Sequence, residues 1–80
     1  MGVREALVRR VESILKERGL AINGLANICG VTPSTFYSLM NGDRKDVNLT
    51  TVKKICDGLD MTLGEFFSSP EFDDLEQEIF

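Results

Sequence analysis

The sequence predicts a small all-α domain of five helices, followed by a short acidic tail that is also helical. Three observations carry this prediction. Apolar residues recur every three or four positions in successive stretches, the spacing that lines one face of a helix. Between the stretches stand residues that stop or start helices: Gly19, Gly30, Thr32-Pro33, Asn41-Gly42, Asn48 and Thr62. No stretch shows the apolar–polar alternation of a half-buried strand.

The first helix is expected over residues 3–18. Leu7, Val11, Ile14 and Leu15 form its stripe, Val3 and Val8 flank it, and Arg4, Arg9, Glu12, Lys16 and Glu17 fall outside. Gly19 ends it, after Lys16 and Arg18 have placed positive charge at the negative end of the helix dipole. Leu20-Ala21 is a short link.

Ile22, Leu25, Ala26 and Cys29 then give a second helix an apolar face. It starts weakly, because Ala21 stands where a hydroxyl or amide would cap better. Gly24 inside it costs roughly 0.5–1 kcal/mol relative to Ala. Either this Gly lets another backbone, of protein or DNA, come close, or it is simply tolerated. Gly30 closes the helix, Val31 plugs the turn, and Thr32-Pro33 opens a third helix with a hydroxyl cap and a proline at its first position. Phe36, Leu39 and Met40 face inward, which leaves Thr32, Ser34, Thr35, Tyr37 and Ser38 outside. Asn41-Gly42 stops the helix.

A polar loop with Arg44 and Lys45 leads to Asn48, the N-cap of a fourth helix over residues 49–59. Its stripe is Leu49, Val52, Ile55, Cys56 and Leu59, with Lys53 and Lys54 on the outer side. Met61 is a core plug. Thr62 with Glu65 three residues on is a capping-box pattern. It opens a short fifth helix that turns Leu63, Phe66 and Phe67 inward. Ser69-Pro70 starts the tail, where Phe72, Leu75, Ile79 and Phe80 recur at helical spacing among Glu71, Asp73, Asp74, Glu76 and Glu78. The expected division is a domain over residues 1–69 and an acidic amphipathic tail over 70–80.

Two short helices joined by a Gly-containing turn, residues 22–40, describe a helix-turn-helix, whose second helix can lie in the DNA major groove. The same pattern also fits a plain corner between two helices of an all-α protein. Charge distribution bears on the choice. The chain has 80 residues and a net charge of −4, an unusual sign for a DNA binder. Residues 1–54, however, hold all nine Lys and Arg against five acids, a balance of +4; residues 55–80 hold eight acids and no base, a balance of −8. A basic body could meet phosphates while the acidic end faces away. Equally, the acids could serve only to keep a small domain soluble.

Other function classes are less well provided for. The chain has no histidine and only two cysteines, Cys29 and Cys56, both on apolar helical faces. Two reduced core thiols fit better than a zinc site. No cofactor is implied. An enzyme is not expected, because the sequence shows no phosphate loop or paired-thiol motif, and 80 residues leave little room for a pocket. No apolar run approaches the roughly 18 residues of a membrane span. The charged start MGVREALVRRVES has no signal-peptide core, so a cytoplasmic chain is expected.

The string LANICGVTPSTFYSLMNG, a polar loop, and then NLTTVKKICDGLDMTLGEFF resemble the phage-repressor and Cro-type helix-turn-helix family, also called the xenobiotic-response-element type. The likeness spans about residues 4–67. Its marks are Leu25-Ala26, Gly30, Asn41-Gly42 and Leu59-Asp60-Met61-Thr62 through Phe66. The resemblance implies a five-helix, lambda-repressor-like DNA-binding domain in which residues 33–40 form the recognition helix. Pro33, Ser34 and Ser38 fall where the family reads base edges, and Thr35 shares that face. Thr32, Tyr37, Asn41, Asn23, Arg44 and Lys45 fall near phosphates. Phe36 and Leu39 would hold the helix at its angle. The sequence departs from the family in two ways. The reading face lacks the long Arg, Gln or Asn side chains that make bidentate base contacts, and Ala21 lacks a hydroxyl for a phosphate.

The expected function is therefore that of a sequence-specific transcriptional regulator of double-stranded DNA, a small repressor. It would act as a homodimer, with Phe72, Leu75, Ile79 and Phe80 as candidate contacts. The alternative is a protein-interaction module on the same fold, adaptor or antitoxin-like, that works through the acidic tail.

Overall fold

A computed structural model describes residues 1–41 and 47–79. Its order is α1 (Val3–Arg18), α2 (Ile22–Cys29), α3 (Pro33–Asn41), α4 (Leu49–Gly58) and α5 (Leu63–Phe67), then one 3-10 turn, Pro70–Phe72. Among the described residues the regular structure is all helical, with no strand. They close around one core, in which Val11, Leu25, Phe36, Ile55, Leu59 and Phe66 are almost wholly buried.

The punctuation read from the sequence acts at the level of single hydrogen bonds. Gly19 and Gly30 both take the left-handed conformation, at φ 65° and 68°. In each case the next residue's N–H reaches back to a carbonyl of the last helical turn: Leu20 to Leu15 at 2.9 Å, and Val31 to Ala26 at 3.1 Å. These bonds satisfy carbonyls that the helix itself leaves open. Ala21 precedes α2 without any side-chain cap. Thr32 accepts from the Thr35 N–H at 3.3 Å, and Asn48 accepts from Thr50 at 2.8 Å.

The capping box of α5 is present in both directions. Thr62 Oγ1 accepts from the Glu65 N–H at 3.0 Å, and Glu65 accepts from the Thr62 N–H at 2.9 Å. That backbone bond, with the Thr62 side chain, holds the Glu65 carboxyl below the usual carboxylate range. A depressed folded-state value stabilises the fold above the unfolded value of about 4.3, and this is lost as pH falls through the folded value. The melting-temperature advantage of the wild type over Glu65→Gln should therefore be present near neutral pH and shrink progressively as pH falls below the unfolded value of about 4.3. Melts of both proteins across that range check this.

Glycine plays opposite parts at two positions. At Gly58 an added Cβ would stand 2.6 Å from Cys29 Sγ and 3.2 Å from Cys29 Cα. Only hydrogen fits there, and α2 crosses α4 close enough for the Cys29 thiol to face the Ile55 carbonyl at 3.8 Å. Both cysteines are free thiols, and burial pushes both up from their ordinary pKa. At Gly24 an added Cβ meets nothing within 4 Å, so no close approach within this chain accounts for that glycine. Gly24→Ala should stabilise the domain by about 0.5–1 kcal/mol, a rise of roughly 2–8 °C in Tm. If DNA backbone approaches Gly24, the same variant will bind duplex less tightly while melting higher.

Three expectations need correction. Leu49 does not join the α4 stripe; it is 59% exposed at the first position of its helix, ahead of the turn that meets the core. Phe67 does not turn fully inward beside Phe66, because adjacent helical residues point about 100° apart. It is 37% exposed and lies edge-on to Phe66 and Phe72, with ring centroids 5.1 and 4.9 Å away. The tail is not an amphipathic helix. Only Pro70–Phe72 forms a turn, and residues 73–79 have no regular structure. Acids stand three or four apart there (Glu71 with Asp74, Asp73 with Glu76, Asp74 with Glu78), and residues 55–80 hold no base to offset them. Such like-charge pairs disfavour a helix. Instead, the tail lies on its own body. Glu76 N–H donates to the Met1 carbonyl at 2.9 Å, and its carboxylate stands 3.5 Å from the Met1 ammonium.

Candidate nucleic-acid interface

The site starts from the α2–α3 turn. Gly30 in the left-handed conformation ends α2, Gly30, Val31 and Thr32 make the turn, and α3 packs against α2. Phe36 at 1% and Met40 at 7% exposure anchor the underside of α3, and Leu39 is half-buried. The periodicity of the helix then turns its other residues outward. Thr32, Pro33, Ser34, Thr35, Tyr37, Ser38 and Asn41 are all exposed, as is Asn23 in the first turn of α2. These are residues expected from the sequence, and each of them is exposed. Arg44 and Lys45 lie outside the described residues.

Two of these hydroxyls have internal work. Thr32 Oγ1 lies 2.8 Å from Thr35 Oγ1 besides accepting the Thr35 N–H. The pair is held in place before any ligand arrives. Thr35 and Ser38 also border a groove between α3 and the start of α4, walled by Arg4, Val47, Asn48 and Thr51. A second, apolar groove lies between Val3, Leu7, Leu49, Val52, Phe67 and Phe72. Among the described residues, no cluster of three His, Cys, Asp or Glu is arranged to hold a metal ion. No described helix is long and apolar enough to cross a membrane.

The basic body is less available than its count implies. Arg4 Nη2 donates to the Leu39 carbonyl at 2.9 Å, at the end of α3. Arg10 donates to the Phe66 and Glu65 carbonyls at 2.8 and 3.1 Å, at the end of α5, with its guanidinium 5.8 Å above the Phe66 ring. Arg18 donates to the Leu59 carbonyl at 2.6 Å, at the end of α4. Three arginines of α1 thus close the ends of three other helices. Sequence reasoning missed them, although a signal was present: α3, α4 and α5 each lack a basic residue in their own last turn. Arg9 pairs with Glu5 at 3.3 Å, and Lys53 pairs with Asp57, whose carboxylate raises the lysine pKa.

The tail residues expected to join two copies are divided. Phe72 is committed to its own core, with its ring 6.0 Å from that of Phe66. Leu75 is half-buried, Ile79 is 83% exposed, and Phe80 lies outside the described residues.

Comparison with known proteins matches this arrangement. The sequence model of the Cro/C1-type HTH DNA-binding domain matches residues 10–71. Among solved structures, prophage Lp1 protein 11 superposes with a TM-score of 0.81 at 25% identity, covering 94% of this chain and all of the other. The curated protein sequences give no match. That family match spans well over half of an all-helical chain, and the chain belongs to the Cro/C1-type helix-turn-helix family of DNA-binding domains.

Proposed function

We propose that this protein is a sequence-specific transcriptional regulator, a small repressor that inserts residues 33–40 into the major groove of double-stranded DNA. The observation that carries the reading is the uncovered face of α3, exposed along its length while Phe36 and Met40 pin it from beneath. Pro33, Ser34, Thr35 and Ser38 meet base edges. Thr32, Tyr37, Asn41 and Asn23 lie near phosphates, as do Arg44 and Lys45, which follow α3 in the sequence. Short hydroxyl side chains discriminate bases modestly, so DNA shape adds to the readout. A second copy doubles the half-site contact and sets half-site spacing at one helical turn. Ile79 is the candidate dimer contact that stands most exposed.

The second reading, an interaction module, draws on the tail. Asp73, Asp74, Glu76 and Glu78 are exposed beside Ile79. Selection from a random duplex library at about 150 mM salt separates the two, since salt at this level suppresses purely electrostatic retention. Enrichment of one motif supports the regulator. A folded protein that retains no duplex contradicts it and favours a partner for the tail.

A further inference from the structure

We propose that Arg4 is a positioning residue for DNA reading: its guanidinium sets the angle of α3 by holding the Leu39 carbonyl. The inference rests on α3 being the recognition helix, and Arg4 itself lies outside the residues matched by the family's sequence model. The last carbonyls of a helix have no partner within it. α3 has no cation in its own last turn, so it takes one from α1, 35 residues away, at 2.9 Å. The bond is charge-assisted and half-buried, the stronger class of hydrogen bond.

Its position bears directly on recognition. Leu39 follows Ser38, and Arg4 walls the same groove as Thr35 and Ser38. The tether therefore acts one residue from the face that meets the bases. Binding geometry must be held to roughly 0.5 Å and 10–20° to be productive. Arg18 makes an equivalent bond to Leu59, and Arg10 to Phe66, but these close α4 and α5 instead of α3. They are internal controls for a bond of the same chemistry placed elsewhere.

The test compares wild type, Arg4→Lys and Arg18→Lys. It measures Tm, affinity for a selected duplex and for a random duplex, and the salt slope of each. Lysine keeps the charge, but its ammonium stops one bond short of the position of Arg4 Nη2, which makes the bond. Arg4→Lys should lose on the order of tenfold in affinity for the selected duplex, the lower end of what a hydrogen bond from a charged group is worth. Random-duplex affinity and salt slope should stay unchanged. Arg18→Lys should lower Tm comparably and leave both affinities alone. Equal losses on both duplexes would overturn the proposal and make Arg4 a phosphate ligand. Equal losses in Arg18→Lys would overturn it in favour of a general stability effect. If wild type discriminates duplexes and Arg4→Lys does so equally well, the positioning role alone fails. If wild type retains no duplex, the recognition-helix reading fails and takes this role with it.

Discussion

Phe36→Ala should destabilise the domain by about 3–5 kcal/mol, the range for truncating a large buried aromatic. Phe36 is 1% exposed and is the largest fully buried side chain of α3. Its removal leaves a cavity between α3 and the core, and Met40 would then be the one buried side chain of the helix. An 80-residue chain has a total stability of only about 4–12 kcal/mol. The variant should therefore be marginal at room temperature and lose duplex binding together with α3 order. Urea unfolding of both proteins measures the difference. A variant that keeps the wild-type midpoint would show that the inward and outward faces of α3 are assigned the wrong way round.

The second large effect separates binding from folding. Ser34→Glu should abolish specific DNA binding, with a loss of 100-fold or more, while Tm holds or rises slightly. Ser34 is exposed, second in α3. A carboxylate in the first turn of a helix interacts favourably with its dipole, so the fold has no reason to suffer. The same carboxylate would face the phosphate-lined groove, where like charges brought together cost several kcal/mol. Anisotropy titrations against a selected duplex, with a melt of each protein, read both quantities. Unchanged binding would remove Ser34 and its helix from the interface.

Local features of this fold were open to reading from the sequence because their causes are local. The Gly30 turn, the Thr32 and Asn48 caps and the Thr62–Glu65 box each depend on residues at most five apart. The outward face of α3 follows from the spacing of Phe36 and Met40 in the same way. What escaped depends on long-range placement. Arg4 and Arg10 look like ordinary surface charges, and Arg18 like a charge for the end of its own helix, until α1 is laid beside helix ends 35, 56 and 41 residues away. Gly58 looks like a weak point in a helix until α2 is seen crossing it. Asp60 takes a left-handed φ of 57°, a conformation that glycine usually supplies. The tail misled for another reason. Its apolar spacing is helical, but five acids in residues 71–78 without a base oppose the helix that the spacing would otherwise favour.

The central claim is that the outward face of α3 is the surface that meets DNA. Amide chemical-shift mapping of isotope-labelled protein, titrated with a selected duplex, tests it most directly. Shifts should concentrate on Thr32 and on Ser34 through Asn41, with Asn23 beside them, while the tail amides of Asp73–Ile79 stay in place. Shifts confined to the tail or to the apolar groove around Leu49 and Phe67, with α3 unmoved, would contradict it.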